Sequence, residues 1–148
     1  MPETYLYRHR VTDDESDELR HANNVAYLEW MQEAAVAHSS ASGWPPARYL
    51  ELGFGWLVRR HVIEYLQPAF PGDQIVVKTW VASMDRVSCV RKYEITRDVD
   101  EVRLVNAWTD GRSASRTKEA AAEGDGRWER RRLACDAQSI LHRRRDAC

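Results

Sequence analysis

Alternation and helical spacing mark six main elements along the chain. Over residues 4–12, Tyr5, Tyr7, His9 and Val11 alternate with Leu6, Arg8 and Arg10, a period of two that predicts a strand. A polar, acidic loop follows over 13–20. From Asn24 the period lengthens: Val25, Leu28, Gln32, Ala35, Val36 and Ser39 fall on one helical face, with Tyr27, Met31 and Ala34 beside it. Asn23 suits the N-cap, because its side-chain oxygen can accept from an early helical N–H. Gly43 and the pair Pro45-Pro46 stop the helix after about five turns. Residues 46–52 leave room for only a second, minor helix. Four strand-like stretches close the pattern, over 54–67, 74–83, 87–97 and 102–109, with turn chemistry at 68–73 and 98–101.

Consecutive strands joined by short turns predict an antiparallel meander. A helix with a single sheet available must pack on that sheet's face. The expected architecture is therefore α+β, a curved antiparallel sheet of about five strands wrapped round one long central helix. Such a layout leaves sheet edges uncovered, which favours a homo-oligomer.

Composition narrows the class without naming a function. The 148 residues fit one domain, and 43% hydrophobic with 30% charged residues describe a globular chain rather than a disordered one. No apolar run approaches the ~18–20 residues of a membrane span, and the N-terminus lacks the basic and apolar regions of a secretion signal. Cys89, Cys135 and Cys148 are odd in number and have no ligand-like spacing, so reduced thiols and a cytoplasmic location are expected. The net charge of −1 is uneven: residues 111–148 carry ten Lys/Arg against six Asp/Glu. That basic stretch lacks any groove-reading motif, so no nucleic-acid partner is expected. It divides the chain into a domain over 1–110 and a basic tail over 111–148. In the tail, residues 110–116 lack apolar alternation, 120–125 are helix-prone, and Trp128, Leu133, Ala137, Ile140 and Leu141 fit a short helix.

The chemistry concentrates between Ser16 and Trp30. Asp17, His21, Asn23 and Asn24 stand on a short polar loop that runs into the long helix. A carboxylate is ionised at neutral pH and can serve as base or nucleophile. The first N–H groups of a helix have no intrahelical acceptor and can hold a developing oxyanion. His21, His38, His61 and the acids 13–18 form no metal-ligand spacing. The acidic run is not a calcium loop, and no Ser-His-Asp set or glycine-rich phosphate loop is present. Neither a metal nor a cofactor is expected.

The element order, with Asp17-x-x-x-His21-x-Asn23-Asn24-x-x-Tyr27 at the helix entrance, resembles the hotdog-fold acyl-CoA thioesterases, specifically the 4-hydroxybenzoyl-CoA thioesterase-like branch. The stretch from Ile63 to Gln67 followed by Pro68-Ala69-x-Pro71-Gly72-Asp73 is similar to the family's strand-then-turn pattern, and the likeness covers roughly residues 5–109. One departure is Arg20, which stands where the family has glycine before the histidine. If that position needs a positive φ, the loop must bend differently or bear strain.

The resemblance implies hydrolysis of acyl-CoA by a homodimer or homotetramer with its site at a subunit boundary. Asp17 would be nucleophile or general base, and the N–H groups of Asn24 and Val25 would polarise the thioester carbonyl. His21 would orient substrate or hold Asp17, an ordinary loop histidine being the alternative. Asn23 and Tyr27 line the helix entrance, as a cap and a packing residue on the plainer reading. Arg59, Arg60, Arg86 and Lys92 are candidates for coenzyme A's phosphates. Trp30, Met31, Phe54, Trp56 and Trp80 are either an acyl tunnel or plain core. Two rivals stay open: a hydratase adding water to an enoyl-CoA, and a subunit that binds thioesters without turnover.

Overall fold

The computed structural model describes residues 3–115. β1 (Thr4–Arg10) leads through a single 3-10 turn (Asp13–Glu15) to α1 (Asn24–Ala41) and α2 (Pro46–Leu52). β2 (Phe54–Tyr65), β3 (Gln74–Met84), β4 (Ser88–Arg97) and β5 (Arg103–Ser115) follow. All strands join one antiparallel sheet in the order β1-β3-β4-β5-β2. This is the expected α+β architecture, with two helices where the main pattern gave one long one. No helix among the described residues is long and apolar enough to cross a membrane.

Only β3, β4 and β5 form a meander. β2 does not pair with β3, as its sequence neighbourhood suggested, but lies at the opposite edge against β5. Residues 66–73 therefore form a crossover rather than a hairpin turn. Eight residues reach at most about 26 Å, ample for the roughly 14 Å of three strand spacings. The crossover is fastened along its length: Leu66 N–H donates to Leu104 O at 2.8 Å, Ala69 N–H to Tyr27 Oη at 2.8 Å, and Gly72 N–H to Val11 O at 2.8 Å. Ala69 is fully buried, so the prolines around it set an extended path under the start of α1.

The core lies between α1 and the sheet. Trp30, Met31 and Ala34 of α1 meet Ile75, Val77, Ile95, Leu104 and Val105 from the strands. The buried stripe of α1 is Ala26, Tyr27, Trp30, Met31, Ala34 and His38, which is displaced from the face that periodicity marked. Val25 and Val36 are exposed, at 58% and 44%. Tyr27 and Trp30 win the inward positions because they bury the most apolar area. β5 also continues to Ser115, past the residue where alternation fades. Its partner β2 supplies a full antiparallel ladder there, from Leu57 opposite Arg112 to Phe54 opposite Ser115. The tail readings at 120–125 and 128–141 fall outside the described residues.

Candidate active site

The loop that precedes α1 is a small hairpin. Ser16 and Ala22 form an antiparallel bridge, Asp17 N–H donates to His21 O at 2.8 Å, and Arg20 N–H donates to Asp17 O at 2.9 Å. The Asp17–Arg20 turn is closed by one left-handed residue. Arg20 is that residue, with φ of 61°. It adopts the conformation that glycine takes at no steric cost, so the loop keeps its path and stores strain. Arg20→Gly is expected to stabilise the fold by about 1 kcal/mol, read as a rise in thermal midpoint. A fall would show that the Arg20 side chain contributes more than the strain costs.

Asp17 is exposed, and its Oδ1 accepts from the N–H groups of Leu19 at 2.9 Å and His21 at 3.2 Å. Oδ2 has no hydrogen-bond partner among the described residues. One oxygen thus fixes the carboxylate and the other is available. It is the backbone of His21, not its ring, that holds Asp17; the ring meets Phe70 edge-on at 5.4 Å. Asn23 caps α1 as its position predicts, and its Oδ1 accepts from Val25 N–H at 3.0 Å. That bond occupies one of the two N–H groups that the resemblance assigns to the oxyanion, and leaves Asn24 N–H outside the cap. Tyr27 is buried, its hydroxyl oxygen accepting from Ala69 N–H.

A carboxylate with no sequence-assigned role anchors this loop. Glu15 sits 2.9 Å from His9 Nε2 through both oxygens, accepts from Trp30 Nε1 at 2.9 Å and from Thr12 N–H at 2.8 Å, and its side chain is 17% exposed. Burial pushes its carboxyl up, but the bonds from His9, Thr12 and Trp30 outweigh that and hold it below its ordinary value. Its backbone oxygen also accepts from Asn23 N–H at 2.7 Å. Nearby, the Tyr7 hydroxyl donates to Glu33 of α1, and burial with that carboxylate pushes the phenol up to about 12. The spacing Thr12-x-x-Glu15 is a capping-box pattern, the one signal in the sequence that could have singled out Glu15.

The arginines stand apart from this loop. Arg59 is skipped in the β2–β5 register, at a bulge, with its guanidinium 4.0 Å from Asp110. Arg60 stacks over Trp108 at 4.8 Å. Arg86 occupies the β3–β4 turn that Asp85 closes by accepting from Val87 and Ser88 N–H. Arg86 is thus at the end of the sheet remote from Asp17, alongside Ser113 of β5.

A cavity of about 590 Å³ opens there, between the second half of α1, α2 and the adjoining ends of β2, β4 and β5. Phe54 and Trp56 line it; Trp30 and Met31 are core, and Trp80 lies elsewhere. The misplaced face of α1 finds its explanation here, because Gln32, Ala35, Val36 and Ser39 line the same cavity.

Residues 11–123 match a family model described as the thioesterase-like superfamily. No curated protein matches the chain in sequence. Among solved structures, a DHNA-CoA thioesterase from Staphylococcus aureus is similar with a TM-score of 0.76 at 19% identity, over 95% of this chain and 94% of that one. A 1,4-dihydroxy-2-naphthoyl-CoA thioesterase from Synechocystis gives 0.73 at 19% identity, over 78% and 85%. A Staphylococcus aureus protein solved in complex with CoA gives 0.72 at 13% identity, over 78% and 73%. At these identities the structural likeness speaks for the fold. The family model spans most of the chain, including the helix-entry loop and all strands but β1, and by that match the chain belongs to the thioesterase-like superfamily.

Proposed function

We propose that the chain hydrolyses acyl-CoA thioesters, giving a free carboxylic acid and coenzyme A. The observation that carries this reading is the loop from Asp17 to Asn24, which holds one carboxylate oxygen by two N–H groups and keeps the other unbonded at the entrance of α1. In the proposed reaction, the start of α1 stabilises negative charge on the carbonyl oxygen while Asp17 attacks the carbonyl carbon or takes a proton from water that does so. The C–S bond then breaks and the thiolate leaves; where Asp17 itself attacked, water then hydrolyses the resulting anhydride, freeing the acid and restoring the carboxylate. Arg20 favours this over the non-catalytic alternative, since it follows the glycine path and leaves the loop intact. Release of thiol from short, long and aromatic acyl-CoAs tests the reading; no thiol from any of them would end it.

We further infer a cytoplasmic homodimer, open to pairing into a tetramer, with the site at the boundary. β2 is an edge strand of 12 residues with its outer edge unpaired among the described residues, and Leu57, Val58 and Val62 are exposed along it. Around the loop, Leu19 and Val25 are 75% and 58% exposed, an apolar rim that a second copy would cover. Arg59 and Arg60, on the same edge, and Arg86 are then the residues for coenzyme A's phosphates. Wild type is expected to run as a dimer or tetramer in light scattering, and Leu57→Asp with Val62→Asp as a monomer with reduced thiol release. A monomeric wild type would contradict the boundary site.

A further inference from the structure

Among the residues that line the 590 Å³ cavity, His38 and Trp44 carry buried ring nitrogens that no partner meets among the described residues. Arg91 Nη1 lies 2.8 Å from His38 Nδ1 and 3.2 Å from Thr79 Oγ1. Burial and the Arg91 charge both push His38 toward its neutral form, against a smaller opposing effect of Glu3. A neutral imidazole that accepts at Nδ1 carries its proton on Nε2. That Nε2–H has no acceptor among the described residues, and neither has the indole N–H of Trp44. Both residues line the cavity, and both are at least nine-tenths buried, at 4% and 5% exposure. Buried donors without acceptors are costly, and a ligand oxygen would recover the loss. The rest of the lining combines apolar side chains, Phe54, Trp56, Val36 and Leu50 among them, with the polar Gln32, Ser39, Ser42, His61 and Thr109.

We propose that this cavity receives the acyl group and selects acyl groups whose far end bears an anionic oxygen, a second carboxylate above all, bound by Arg91, His38 and Trp44. The identity of the ligand as an acyl group rests on the hydrolase reading above. Within one copy the wall at His38 and Arg91 is remote from Asp17, since His38 follows Asn24 by fourteen residues, about 21 Å along a helix. Pairing through β2 removes that distance. The Tyr65 hydroxyl, at the end of β2, donates to Asn24 O at 3.1 Å, whereas Phe54 and Trp56, at its start, wall the cavity. Two antiparallel β2 edges related by a two-fold axis set the start of one beside the end of the other. One copy's cavity then faces the partner's helix entrance, and the polar end of the acyl group lies at the Arg91 wall.

The test has two independent readouts on the full chain. First, kcat/KM for adipoyl-CoA is compared with that for hexanoyl-CoA, which has a methyl group where adipoyl-CoA has its terminal carboxylate. We expect a preference of at least ~10-fold for adipoyl-CoA, falling at least ~5-fold in Trp44→Phe and in Arg91→Met, with partial recovery in Arg91→Lys. Second, adipate and its neutral dimethyl ester are titrated while the Trp44 indole N–H resonance, assigned by its loss in Trp44→Phe, is followed by NMR. Adipate alone should shift it. A ratio near or below one, or an indole that ignores adipate, overturns the proposal even if plain acyl-CoAs are hydrolysed. An indole that moves with adipate in a protein that releases no thiol keeps the carboxylate site and removes the hydrolase reading instead.

Discussion

Asp17→Asn is expected to release coenzyme A at no more than about one-hundredth of the wild-type rate, the scale of a lost general base or nucleophile. The substitution is clean for a structural reason. Oδ1 is the atom that accepts from Leu19 and His21 N–H, and an asparagine retains an oxygen there. The loop should therefore keep its shape while the charge and the basic lone pairs of the other oxygen disappear. Substrate still binds, so the loss should appear in kcat with KM little changed. Asp17→Ala removes both the chemistry and the two loop bonds, and should add a stability loss that Asp17→Asn lacks. A single-turnover thiol assay with thermal midpoints for both variants separates the effects. Near-equal rates for wild type and Asp17→Asn would remove Asp17 from the mechanism.

Most of the architecture could be read from alternation, because strands that face a helix on one side only are forced into a period of two. β1 follows that rule over Tyr5, Tyr7 and His9, β4 over Tyr93 and Ile95, and β3 over Ile75, Val77 and Thr79, with Val76 buried as well. The place of β2 was hidden, since nothing local in residues 66–73 distinguishes a hairpin from a crossover that spans the sheet end. The orientation of α1 was hidden for a related reason. Val25 and Val36 carry the apolar signal of a packed face, yet in one copy they border open space beside the loop and in the cavity. Periodicity reports that a face will be covered, not by what. At the candidate site, the Asn23 cap and the helix start at Asn24 were legible from type and spacing, and the role proposed for Asp17 rests on that same spacing. Arg91 and His38 were not, because they are 53 positions apart and only the antiparallel stacking of β3 and β4 beneath α1 joins them.

Glu15→Ala is expected to destabilise the fold by about 2–3 kcal/mol, lowering the thermal midpoint by on the order of 10 °C. The substitution leaves His9 Nε2, Trp30 Nε1 and Thr12 N–H without the carboxylate they share, and it detaches the strap that ties β1 and α1 to the Asp17 hairpin. Turnover should fall with it, because the Asp17 loop is held to the helix entrance through the same residue. Acid separates this anchor from a generic packing loss. The folded-state carboxyl lies below its ordinary value, so the stabilisation is fully present above the unfolded value of about 4.3 and is lost as pH falls through the folded value. Wild type should therefore lose stability below about pH 4.3 more steeply than Glu15→Gln, which carries no titratable group at this position. Parallel curves for the two proteins across that window would mean that the charge on Glu15 does not hold the loop, and that its hydrogen bonds to neutral donors suffice.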